Sequence, residues 1–230
     1  MYNQSILSIL TVYKKEGRMM NSISRQKRTK EQNKKDIVSA TEKLLFKHNL
    51  DYKSVKMNDI AIVSGFTKRT IYSYFPKKED IHFEVMINAY LKLHKYLDKN
   101  MKHDSDENEL LKISKAFYAF SEEHSNYFWV IMDYQNGPSD FAEITTSIKK
   151  CYELGEITMM YIRNAIIKGI KLGEFRKDLD IESSVLRVWS FSTGLLNTLR
   201  VKNEYIKNYY HINKEDFVKD SLCAIVNSLK

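Results

Sequence analysis

The segment from Met57 to Lys78 constrains this chain most, because it reads as two short amphipathic helices hinged on a single glycine. Met57, Ile60 and Ala61 recur at helical intervals, so the first helix buries one side. Ser64-Gly65-Phe66 then interrupts the pattern where a tight turn needs a residue that tolerates positive φ, which glycine does without steric cost. Thr67 follows in position to cap the second helix, its hydroxyl accepting from backbone N–H groups left unpaired in the first turn. From Thr67 onward a helical wheel gathers Ile71, Tyr74 and Phe75 on one arc and Lys68, Arg69, Tyr72 and Ser73 on another. One face packs; the other meets solvent or a ligand. Two cations, a phenol and hydroxyls on a short helix suit a groove walled by phosphates, where cations neutralise charge and donors fix register. A charged face alone describes an ordinary solvated helix equally well. The glycine turn, the cap and the paired helices together favour a helix-turn-helix.

The charge distribution points the same way. Residues 1–82 carry 17 Lys and Arg against 8 Asp and Glu, a net of +9, while residues 83–230 carry 20 against 21, a net of −1. The formal excess of +8 therefore lies in the N-terminal third. A basic module joined to a near-neutral one implies a polyanionic partner for the first alone.

The stretch from about Thr29 to Ile81 resembles the DNA-binding domain of TetR/AcrR-type transcriptional regulators. The match runs through Ile37, Ala40, Leu44, Leu45 and Phe46, then Ile60-Ala61, Ser64-Gly65-Phe66, Thr70-Ile71-Tyr72, Tyr74-Phe75 and Lys78-Glu79-Asp80. The resemblance implies that Tyr72, Tyr74 and Lys78 contact operator phosphates, that Lys68 and Arg69 read base edges, and that Thr67 and Thr70 assist near the backbone. Lys56 departs from the pattern, since a threonine is frequent there and caps the helix; a lysine reaches a phosphate instead. The basic run Arg25-Gln26-Lys27-Arg28 fits an arm that follows DNA into the minor groove, or a solvated tail.

Outside this module the chain reads as helix throughout. With 7 Gly and 2 Pro in 230 residues there is little punctuation, and no stretch sustains period-2 alternation, so no sheet is expected. Pro76 opens a helix over about 77–100 and Pro138 marks a break at Asn136–Ser139. Further helices are expected over 107–124, 126–135 and 140–172, the last with a kink near Gly155 and closed by Gly173. Asp180 caps a helix bearing Val185, Trp189, Ser192, Leu195, Leu196 and Leu199, and the terminal helix carries Phe217, Val218, Leu222, Ile225 and Leu229. The expected architecture is all-α with about nine helices: an extension over 1–28 expected to be disordered, a three-helix helix-turn-helix domain over 29–76, and a larger helical effector-binding and dimerisation domain over 77–230. Lys15-Glu16-Gly17-Arg18 before Met19-Met20 suggests a ribosome-binding site read as protein, with Met19 or Met20 as the start.

The broad stripes of the last two helices are covered either within the chain or by a second copy. The resemblance, which extends through Lys171–Asp178 and Trp189–Leu196, favours a homodimer with Trp189, Leu195, Leu196, Leu199, Val218, Leu222, Ile225 and Leu229 at its interface. An effector-binding cavity is implied by the same resemblance, and Phe117, Phe120, Phe128, Trp129, Met132, Met160 and Tyr161 are its candidate lining for a small lipophilic, aromatic or flat cationic effector. Each of these is equally a core residue. Arg163, Asn164 and Asn197 either orient a ligand or face water.

Catalysis finds no support. The six histidines form no His-Glu-x-x-His arrangement, and no phosphate-cradling or nucleophile-elbow motif occurs. Cys151 and Cys223, 72 positions apart, offer neither metal-ligand spacing nor a disulfide framework and suit a reducing cytoplasm. No apolar run reaches the roughly 20 residues of a membrane span. The sequence therefore calls for no cofactor, no metal and no membrane, and for a double-stranded DNA operator as partner. A ligand-responsive repressor on a palindromic operator is the leading reading. An architectural or division-associated DNA binder of the same fold, without a small-molecule switch, is the alternative, and a helical enzyme with a fortuitous basic end ranks behind both.

Overall fold

A computed structural model describes residues 29–102, 107–135 and 146–230. Among the described residues there are nine helices and no strand. Helix α1 occupies 29–47. It is followed by α2 (Met57–Ser64), α3 (Lys68–Tyr74), α4 (Lys78–Met101), α5 (Glu109–Glu123), α6 (Ser125–Gln135), α7 (Thr146–Leu172), α8 (Ile181–Tyr210) and α9 (Lys214–Asn227). The extension, the basic arm and the Pro138 break lie outside the described residues.

The chain divides into two compact units at the His82–Phe83 peptide, six residues beyond the boundary expected at 76. Unit one is small, and its core is correspondingly local: Ile37, Leu45, Val55, Ile60, Ile71 and Ile81 are all fully buried. Helix α2 packs on α3. Unit two is a layered helical body in which α5 packs on α6, α7 and α9, and α8 packs on α7 and α9. Phe120, Phe128, Leu93, Leu97, Leu110 and Ile131 lie at its centre.

Helix boundaries follow the local chemistry. Asn108 accepts from the Leu111 N–H and starts α5; Asp180 accepts from the Ser183 N–H at 2.7 Å and starts α8. Asn213 accepts from two backbone N–H groups at the head of α9. Gly173 ends α7 in the left-handed region at φ 75°, while the Glu174 N–H returns to the Gly169 carbonyl at 2.9 Å. No break occurs at Gly155, where a kink was expected: α7 runs continuously through it. A side chain there would meet the Tyr90 hydroxyl at 3.4 Å, an ordinary contact.

Most of the residues expected to form a dimer interface are already buried within the single chain. Leu195, Leu196, Leu199, Val218, Leu222, Ile225 and Leu229 are all buried within the single chain, Leu222 being 4% exposed. The reason is the packing of α8 on α9, with α7 behind α8 and α5 beside α9, which covers the stripes that periodicity had revealed. Trp189, the eighth of the set, is partly exposed and points to a cavity described below.

Candidate nucleic-acid interface and ligand cavity

Helix α3 is held by its ends and by one face. Gly65 closes α2 at φ 73°, ψ 12°, with open space around the position a side chain would take. The backbone conformation, rather than crowding, selects glycine here. Thr67 then sits extended and accepts from the Thr70 N–H at 3.1 Å, and its hydroxyl lies 2.9 Å from that of Thr70. Ile71 and Phe75 anchor the inner face. Lys68, Arg69, Tyr72 and Ser73 are exposed on the other, Tyr72 by 47%. Ser73 spends its proton on the Thr70 carbonyl at 2.6 Å.

Of three further expected contact residues, Lys56 is exposed, while Tyr74 and Lys78 are engaged within the unit. Lys56 occupies the N-cap of α2 without a side-chain cap bond, leaving its ammonium exposed. Tyr74 accepts from Asn33 Nδ2 at 2.9 Å, which ties α3 to α1 and leaves the phenol proton to donate. Lys78 does not extend into solvent: Nζ donates to the Tyr52 carbonyl at 2.7 Å and stands 4.2 Å from the Tyr52 ring centroid. The Tyr52 hydroxyl donates back to the Lys78 carbonyl. This reciprocal clasp fixes the first turn of α4 to the loop after α1. Sequence reading missed Tyr52 because nothing in residues 48–55 is periodic. The His82 ring lies tilted against the same ring, centroids 4.3 Å apart, and burial, then Lys78, lowers its pKa to about 4.

Unit two holds a partly open cavity with about 20 Å³ of room, roughly that of one water molecule. Leu97 of α4, Phe117 of α5, Ile162 of α7 and Trp189 of α8 form its apolar wall. Ser114, Thr158 and Ser192 add three hydroxyls, and no charged residue lines it. The Phe117 and Trp189 rings are 5.5 Å apart.

Of the seven residues expected to line a pocket, Phe117 alone borders this cavity. Phe120 and Phe128 are fully buried core, and Met132 is 5% exposed beside them. Trp129 lies against Phe128 and under the Arg200 guanidinium, 4.2 Å away. Met160 is 49% exposed because helical period carries it to the side of α7 opposite Thr158 and Ile162. Tyr161 donates to Asp98 at the surface. Arg163 is engaged with Glu182 through two hydrogen bonds of 2.7 and 2.8 Å. The signal that finds the cavity is the small polar residue inside an apolar stripe, which Ser114 and Ser192 both are.

Residues 37–85 match the family model described as bacterial regulatory proteins, tetR family. No curated protein sequence matches the chain significantly. Among solved structures, the fatty acid degradation regulator FadR of Bacillus halodurans is similar at a TM-score of 0.61 and 17% identity, over 84% of this chain and 94% of that one. FadR of Bacillus subtilis, solved in complex with stearoyl-CoA, is similar at 0.62 and 17%, over 85% and 98%. The TetR-family regulator PfmR of Thermus thermophilus gives 0.60 and 18%, over 84% and 98%.

Proposed function

From a chain that carries the tetR-family N-terminal domain within an all-helical, TetR-type fold, we propose a ligand-responsive repressor that binds a palindromic operator as a homodimer. One observation carries the DNA-binding part: α3 is anchored by Ile71 and Phe75 so that Lys68, Arg69, Tyr72 and Ser73 stand clear of the unit that holds them. Such a helix reads few base pairs by itself. A twofold pair of chains sets two of them in successive major grooves, about 34–36 Å apart or a multiple of it.

The surface available for pairing is the outer face of α8. Leu186, Phe191, Gly194, Val201 and Tyr205 follow one another along it, all exposed. Gly194 has open space where a side chain would stand, which lets a second helix approach closely. This exposed face supports pairing through α8 beside the buried set expected from periodicity.

Effector control rests on α4, a single helix whose first turn belongs to unit one and whose Leu97 borders the cavity of unit two. A ligand that favours one placement of α4 changes operator affinity by the difference in its own affinity for the two states, typically ~1–3 kcal/mol. The stearoyl-CoA held by the Bacillus subtilis regulator supports a lipophilic effector. The second reading, a DNA binder with no small-molecule switch, is favoured by the cavity volume of about 20 Å³, since an effector enters only if a wall residue such as Trp189 moves.

Selection of duplexes from a random pool, followed by mobility shift, tests the proposal. Palindromic sites with salt-sensitive affinity are the expected result; no affinity for any duplex sinks it. Tyr72→Ala is expected to weaken all sequences alike, and Arg69→Ala to weaken binding by about 1–3 kcal/mol while relaxing discrimination at one position. Discrimination unchanged in Arg69→Ala removes that residue from the base-reading set.

A further inference from the structure

The cavity in unit two is small, but its chemistry is specific. Three of its lining side chains are hydroxyls, two are aromatic, and none bears a charge. Ser114 Oγ donates its proton to the Leu110 carbonyl at 2.8 Å. Thr158 Oγ1 lies 3.3 Å from the Leu154 carbonyl and 3.0 Å from His94 Nε2, so its own proton is taken up within the protein. Both hydroxyls therefore present lone pairs to a newcomer and no spare proton. A carboxylate brought here would meet no cation among the lining residues, which offer it at most the neutral donors of Ser192 and Trp189. A quaternary ammonium would find no carboxylate. Either would be desolvated with no opposite charge to offset the cost.

We propose that this cavity receives the polar end of an uncharged lipophilic compound bearing a hydrogen-bond donor, such as an alcohol or phenol, which donates to Thr158 and Ser114 while its apolar body lies against Phe117 and Trp189. The inference rests on the ligand-responsive reading above and narrows its effector to one chemical class. Thr158 is the discriminating residue. His94, on α4, is 8% exposed and holds Thr158 from the far side, so the donor is sensed by a pair that joins α7 to the helix leading into unit one. Burial lowers the pKa of His94, which keeps the pair uncharged near neutrality. The class differs from the flat cationic compound that aromatic composition alone had allowed.

The test uses the full chain, without DNA, and two matched series. One comprises 2-naphthol, 2-methylnaphthalene, 2-naphthoate and 2-naphthyltrimethylammonium. The other comprises 1-octanol, nonane, octanoate and octyltrimethylammonium. Affinities are read by calorimetry and thermal shift. In at least one series the hydroxyl member is expected to bind about two- to tenfold more tightly than its methyl isostere, the range one neutral hydrogen bond supplies. The two ionic members are expected to bind more weakly than either. Thr158→Val should erase the preference for hydroxyl over methyl, and Thr158→Ser should retain it. Ser114→Ala, which removes the second acceptor, should reduce it. The proposal is overturned if no member of either series binds, if an ionic member binds as tightly as the hydroxyl one, or if Thr158→Val keeps the preference. Because binding is read without DNA, a compound that behaves as stated yet leaves a protein–duplex complex intact refutes the switch and not the site. Failure to bind any duplex refutes the DNA-binding reading alone.

Discussion

At the scale of single residues, two glycines of α7 separate backbone from packing effects. Gly169 faces the Phe175 ring, and an added Cβ would lie 2.3 Å from it, while Gly155 offers an added Cβ ordinary contact at 3.4 Å. Gly169→Ala is therefore expected to cost about 1–3 kcal/mol by overpacking a buried ring. Gly155→Ala is expected to gain up to about 1 kcal/mol from helix propensity. Urea unfolding of the two variants checks the contrast, and equal shifts would contradict the geometry. His82 supplies a pH prediction. Its folded pKa of about 4 lies below the ordinary 6.5, so the native state keeps the ring neutral while the unfolded chain protonates it. Its contribution to stability is complete above pH 6.5, declines by about 1.4 kcal/mol per unit as pH falls toward 4, and then levels off. The groups facing it are the Tyr52 ring, Lys78, which depresses the pKa further, and Glu79, which opposes. Denaturation midpoints at pH 7 and 5 are expected to differ less in His82→Gln than in the natural chain.

At the scale of elements, legibility follows whether a signal is local. The helix-turn-helix was readable because its determinants lie within a few residues of what they control: a left-handed backbone at Gly65, a hydroxyl cap at Thr67, an anchor at Ile71. The assembly surface was not. Periodicity shows that α8 has an apolar side but not what covers it, and α8 has two. Leu195, Leu196 and Leu199 turn inward, whereas Phe191, 47% exposed, and Val201, 64% exposed, turn outward. The clasp of Lys78 on Tyr52 was illegible for a similar reason, since the two residues are 26 positions apart. The outward face gives the element-scale prediction. Phe191→Glu combined with Val201→Glu is expected to convert a dimer to a folded monomer by light scattering with helical content retained. A dimer that persists moves the interface elsewhere. Leu222→Glu, by contrast, should unfold unit two.

The whole molecule pairs a basic unit with one that is nearly neutral, and this has a measurable signature. If only the first unit meets the polyanion, the salt dependence of duplex affinity is set by its cations. Reversing the charge of surface lysines on unit two, such as Lys149 and Lys171, is expected to leave the slope of log affinity against log salt unchanged, whereas Lys68→Ala should lower its magnitude by about 1. A titration series from low to moderate salt decides between these outcomes.

The junction at His82–Phe83 falls inside α4, only a few residues after its start at Lys78. A boundary without a loop offers a protease nothing to grip, since cleavage needs an extended stretch that a wound helix denies. Chymotrypsin should therefore spare Phe83 under conditions where the native chain stays folded, and severing the gene at codon 82 should leave both halves with a raw, unravelling end. A graft made at residue 82 therefore inherits a helix cut after its first turn, and an exchange of halves that keeps α4 whole is expected to be the one that folds.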